Sequence, residues 1–153
     1  MVRLADVPEP ERSVIANLDC PHFPQTPFTA APEATQRHVA IVSSAGLIVR
    51  GERPLTPNEA GYRSFASSVE DGDVLCSHVS PNFDRTGFQQ DINVMLPRTR
   101  LRELERDGSI NRAADMHYSF MGATAVAKLE DKARELGRSM LALGVNTVVL
   151  APV

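Results

Sequence analysis

The residues best equipped for chemistry lie close together, between His78 and Asn93. His78, Asp84, Arg85 and Asp91 place one imidazole, two carboxylates and a guanidinium within 16 residues, among the amides of Asn82, Gln89, Gln90 and Asn93. Such a set can move protons and hold an amino or carboxylate group. It sits on a connection long enough to be functional. The same residue types have another use. Asp and Asn in loops bond their own backbone as turn and cap formers, and a single His beside a strand is commonly a hydrogen-bonded structural residue. Both readings stand for this segment. A metal centre is not expected, because His78, Asp84 and Asp91 have no i, i+4 pairing and no partnered cysteines.

Two apolar runs must position this loop. Val74 to Val79 reads as a short strand that feeds directly into it, and His38 to Val42 is a β-branched strand closed by Ser43-Ser44-Ala45-Gly46. A nicotinamide site would need a G-x-G-x-x-G series in that turn. Only Gly46 is there, with Gly51 five residues on, so a dinucleotide cofactor is excluded. The turn either reverses the chain and nothing more, or lines a small anionic pocket with free N–H groups and the hydroxyls of Ser43 and Ser44.

Further along, Pro97 suits the first turn and Gly108 the stop of a short surface helix in the segment from Arg98 to Gly108, whose charges read as a solvated face. Ile110 to Phe120 has no clear period, and Phe120-Met121-Gly122-Ala123 is a small-residue turn. The longest helix follows, with Val126, Leu129, Ala133, Leu136, Met140 and Leu143 at helical spacing and Gly144 as its stop. The last segment, Thr147 to Leu150, is a continuous apolar run, the pattern of a strand buried on both faces of a parallel sheet. Alternating strands and helices give an α/β class, a Rossmann/flavodoxin-like parallel sheet with flanking helices, incomplete at its C-terminus. Ligands of such sheets collect at the carboxyl ends of the strands.

Residues 1–36 differ in texture. Pro8, Pro10, Pro21, Pro24, Pro27 and Pro32 argue against regular helix or ladder, so this part is expected to be an extended arm that Val14, Ile15, Leu18, Phe23 and Phe28 dock on its own domain, 37–153, or, as the alternative, on a partner's surface. The 153 residues are 42% hydrophobic and 23% charged, enough for one core. With 16 Lys+Arg against 19 Asp+Glu, a net charge of −3 and no basic tract, neither nucleic acid nor an anionic membrane is an expected partner. There is no secretory leader pattern and no spanning apolar run, so a cytoplasmic location is expected. Cys20 and Cys76 are the two cysteines, both expected as reduced thiols. Cys76 lies in an apolar strand, where a thiol stays inert; Cys20 could act as a resolving thiol if the arm folds back over the site.

The ordered series Ser44-Ala45-Gly46, Ser77-His78, Phe83-Asp84, Asp91-Ile92-Asn93-Val94-Met95-Leu96-Pro97, Leu101 to Gly108, Phe120-Met121-Gly122 and Gly144 to Leu150 resembles the selenoprotein subunit of the D-proline reductase and glycine/sarcosine/betaine reductase family. The resemblance runs from about Arg37 to Val153, and the proline reductase branch is the nearer. In that family a selenocysteine follows the apolar strand, with a cysteine soon after. The chain stops short of both, so the expectation is a product ended at a UGA codon. A relative that naturally uses only this half, or pairs it with a separate second half, is the alternative.

The resemblance implies an oxidoreductase of amino-acid metabolism that performs reductive C–N cleavage on a proline- or glycine-type substrate. It implies a selenol nucleophile, a pyruvoyl group on a partner subunit, and a homo-oligomer. It also implies roles by position. His78 and Asp84 would be catalytic, handling protons or orienting the substrate amine; Ser44 would meet the carboxylate; and Asp91, Asn93, Met121 and Gly122 would shape the substrate site. This chain alone would then be inactive. The competing function is a non-catalytic α/β binding or assembly module that keeps the same shell.

Overall fold

The computed structural model describes residues 3–18, 22, 24, 29–80 and 83–153. A mixed α/β sheet is built around strand β1 (His38–Ser43). β1 carries apolar residues at successive positions because both of its faces are covered. Val39 and Ile41 pack with Phe65, Met95, Leu96 and Leu101 on one side, while Ala40 and Val42 face Leu136, Met140 and Val145 on the other. Each large aliphatic or aromatic side chain buried this way contributes about 2 kcal/mol.

β2 (Leu47–Val49) follows the turn after β1, then β3 (Tyr62–Ala66) and β4 (Val74–Cys76). The aperiodic stretch after residue 110 resolves into β5 (Arg112–Ala113) and β6 (Met116–Phe120), and the last strand is β7 (Thr147–Ala151). β5, β6 and β7 all run parallel to β1. β5 and β6 share one flank, β5 beside His38 and Val39 and β6 beside Val42 and Ser43. Where one gives way to the other, the amide of Ile41 donates to Nδ1 of the buried His117 at 3.2 Å, so the break in the ladder leaves no unsatisfied donor there. β3 adds antiparallel to β6, and β2 pairs antiparallel with β4 in a separate two-stranded ribbon.

Among the described residues four α-helices complete the fold: α1 (Glu11–Ala16), α2 (Thr86–Gln90), α3 (Arg98–Arg106) and α4 (Glu130–Ala142). α3 covers one face of the sheet and α4 the other. Gly108 and Gly144 adopt φ of +76° just past α3 and α4, the left-handed stops expected of them. Among the described residues no helix is long and apolar enough to cross a membrane.

Three expectations are corrected. The arm contains a helical turn, α1, with Pro10 at its cap, where a missing N–H costs nothing. α3 is not charged solely toward solvent, because Arg98 is 1% exposed and reaches the Ala66 carbonyl and the Asp71 carboxylate. Among the described residues β7 pairs only with β1, and it is not buried on both faces: Leu150 is 73% exposed. Cys20, considered as a resolving thiol, lies outside the described residues.

Candidate functional site

The turn after β1 is knitted by its own serines. The Ser44 amide donates to the Ala151 carbonyl (3.1 Å), the Ala45 amide to Ser43 Oγ (3.2 Å) and the Gly46 amide to the Phe120 carbonyl (2.9 Å). No amide of this turn is left to form an anion nest, which removes that reading of Ser43 to Gly46. The Ser44 hydroxyl accepts from the Val153 amide at 3.0 Å, and its carbonyl accepts from the Gly122 amide at 3.0 Å. Ser44 therefore ties together the ends of β1, β6 and β7.

Gly46 and Gly122 are there because nothing larger fits. Gly46 has φ of +64°, and a Cβ on it would lie 3.2 Å from both the His78 Cα and the Met121 methyl. On Gly122 a Cβ would lie 2.6 Å from the Ser44 carbonyl oxygen. These two glycines let the β1 turn, the start of the His78 loop and the turn after β6 pack into one unit.

His78 follows β4 and is 7% exposed. Its Nδ1 accepts from the Ser80 amide at 3.2 Å, which assigns the proton of the neutral ring to Nε2. The ring stacks on Phe83 at 4.1 Å between centroids and 18° between planes. Burial, and then the Arg85 guanidinium, hold the imidazole below its ordinary 6.5, so at neutral pH it is an uncharged N–H donor. Asp84 is exposed, and its Oδ1 accepts from the Thr86 amide at 2.8 Å. The backbone and side-chain hydrogen bonds of Thr86 lower its pKa and keep it a carboxylate.

His78, Ser80, Phe83, Asp84, Gly122, Ala123 and Val153, with Ile15 and Leu18 from the arm, line an open cavity of about 640 Å³. It lies beyond the carboxyl ends of the parallel strands, where ligands of open α/β sheets bind. One wall offers an N–H donor and a carboxylate; the other is aliphatic and aromatic. That combination suits a small molecule with a cationic amine, an anionic or carbonyl acceptor, and an apolar body.

The other candidate residues lie elsewhere. Asp91 accepts from the Asn93 amide (2.9 Å) and side chain (2.8 Å), and Asn93 Oδ1 accepts from the Thr99 amide (3.0 Å) at the start of α3. They shape the loop as caps. Met121 is fully buried with Ile48 and Leu55 and supports the Gly122 turn from beneath. Ile15 and Leu18 were read only as docking residues, and their i, i+3 spacing in a Pro-rich arm was the available sign that they share a face. Cys76 Sγ lies 3.8 Å from the Ala45 carbonyl, in the packed ribbon. Among the described residues no group of three His, Cys, Asp or Glu side chains is placed to hold a metal ion.

With this geometry in view, the comparison with known proteins is specific. The family model of glycine/sarcosine/betaine reductase selenoprotein B matches residues 12–153. The chain belongs to that family. The match begins at Arg12, so it takes in α1 and the Ile15 and Leu18 wall as well as the sheet. D-proline reductase subunit gamma of Acetoanaerobium sticklandii is 27% identical over 128 residues, covering 82% of this chain and 51% of the relative. The glycine reductase complex component B gamma subunits of Symbiobacterium thermophilum and Carboxydothermus hydrogenoformans are each 25% identical over 139 residues. They cover 84% and 87% of this chain and 32% of each relative. The chain thus spans about half the length, or less, of these relatives. No solved structure matches it.

Proposed function

We propose that this chain forms the substrate-binding wall of a selenol-dependent reductase complex that cleaves the C–N bond of a small amino acid or related amine. The observation that carries this reading is the convergence of His78, Asp84 and Gly122 on one cavity at the carboxyl ends of the parallel strands. In the assembled complex the Asp84 carboxylate pairs with the substrate ammonium, and Nε2–H of His78 donates to its carboxylate or carbonyl oxygen. Phe83, Ala123, Ile15 and Leu18 offer the apolar body a surface to pack on.

A neutral imidazole, a carboxylate and backbone groups bind and orient; they fit a chain that holds the amine while covalent chemistry is supplied by other parts of the complex. A selenol nucleophile and a pyruvoyl carbonyl on a partner subunit would supply that chemistry when present. Ser44 acts on the site through Gly122 and Val153. Asp91, Asn93 and Met121 hold the loop and turn in place.

The test is turnover of the assembled reductase with Asp84→Asn and His78→Ala. Loss of charge at Asp84 should raise KM for the amine at least tenfold. Loss of the imidazole should lower kcat/KM by roughly a hundredfold, with the folded state retained. Near-normal kinetics in both variants would refute the assignment.

A further inference from the structure

The His78 ring would be free to turn about its χ angles if only the Ser80 amide held it. Its loop carries a second device. Arg85 donates from one guanidinium nitrogen to the His78 carbonyl at 2.6 Å and from the other to the Phe83 carbonyl at 3.4 Å. The guanidinium carbon lies 5.7 Å from the centroid of the Phe83 ring, the same ring that stacks on the imidazole. One side chain thus spans both ends of the stacked pair. The two bonds come from two different nitrogens held apart in one rigid planar fork, whereas a lysine has a single donor nitrogen on a flexible stem.

We infer that Arg85 is the positioning residue for His78, fixing the imidazole against Phe83 so that Nδ1 meets the Ser80 amide and Nε2–H is left for the ligand. The inference rests on the reading of the cavity as a substrate site for its functional consequence, but not for its geometry. Arg85 is the charged group that lowers the imidazole's pKa, and among the described residues Asp84 is the charged side chain lining the cavity. Gly46 and Met121, which pack beside His78 from the β1 and β6 turns, bring no charge.

The experiment is nitrogen and carbon NMR of the histidine side chains in the full-length protein, wild type against Arg85→Ala. In the wild type His78 should show the single Nε2–H tautomer and titrate below 6.5. In Arg85→Ala that tautomer preference should be lost and the midpoint should move up, while the buried His117 stays unchanged as a mark of the intact fold. An unaltered His78 spectrum and titration in Arg85→Ala overturns the inference. If Arg85→Ala fails to fold, Arg85→Lys is read the same way: an altered tautomer pattern supports the fork, and an unaltered one overturns it. Turnover is read separately. A fall of roughly ten- to a hundredfold in kcat, with KM less affected, is expected of a misplaced group. A disturbed His78 spectrum with normal turnover leaves Arg85 as the positioning residue and refutes the substrate site instead.

Discussion

Gly122 donates its amide to the Ser44 carbonyl at 3.0 Å, in an approach so close that a Cβ on Gly122 would lie 2.6 Å from that oxygen. The contact joins the turn after β1 to the turn after β6, and Gly122 also lines the cavity. The packing of the sheet and the shape of the site therefore meet in one backbone hydrogen bond.

Gly122→Ala should push the two turns apart. The neighbour is backbone rather than a flexible tip, so it cannot yield cheaply, and a loss of about 1–3 kcal/mol in stability is expected. Denaturant unfolding measures it. An unchanged midpoint would mean that the turns can separate without cost and that this contact does not set the cavity wall.

His117 makes stability depend on pH. Burial, and then the positive charges of Arg98 and Arg102, lower its pKa to about 4 from 6.5. The unfolded chain binds the proton more tightly, so its contribution is present above 6.5 and is lost as pH falls toward 4. The shift corresponds to a loss on the order of 3 kcal/mol across that window. Protonation at Nδ1 would also remove the acceptor for the Ile41 amide. In His117→Asn, unfolding free energy measured from pH 7 to 4 should fall less steeply than in the wild type. Equal slopes would show that His117 is not the group that titrates.

Arg98 gives a third test. It is buried beneath the loop that carries Asp71, and its guanidinium also serves the Ala66 carbonyl at the end of β3. Arg98→Ala leaves a cavity and unpaired acceptors, with an expected loss of about 3 kcal/mol. Arg100→Ala, on the exposed side of the same helix, should change stability by less than about 0.5 kcal/mol. Similar losses in the two variants would contradict the inward placement of Arg98.

What could be read from residues alone was local. β1, a short helix between Pro97 and Gly108, and the glycine stops at 108 and 144 follow from β-branched runs and left-handed turns, which depend on neighbours in sequence. β6 is hard to read from residues because its His117 and Ser119 are polar yet buried, and each is satisfied by β1 or the segment after it: His117 by the Ile41 amide, Ser119 by the Ser43 carbonyl and the Leu47 amide; β5 is only two residues long and carries no period. The apolar β7 looked central because a continuous hydrophobic run does not state how many partners it has. Arg98 and Arg100 are two residues apart and chemically alike, yet only the fold decides which one points inward.

The site shows the same division. His78 and Asp84 line the cavity, while Asp91 and Asn93, equally polar and only a few residues on, do not, although Asp84 accepts from the Thr86 amide just as Asp91 accepts from the Asn93 amide. Sequence spacing cannot separate the two pairs, because a loop folds back on itself. Ile15 of α1 and Leu18 just past it reach the same cavity from about 60 residues before His78, a separation that no local pattern encodes.

The central claim is that the cavity bounded by His78, Asp84 and Gly122 receives a small amine-bearing acid. The most direct measurement is an NMR titration of the protein with proline and with glycine, following backbone amides and the His78 ring. The account predicts saturable shifts confined to His78, Ser80, Phe83, Asp84, Gly122 and Ala123, weakened at least tenfold in Asp84→Asn. Saturable shifts centred on other residues, or no shifts with either ligand, would contradict it.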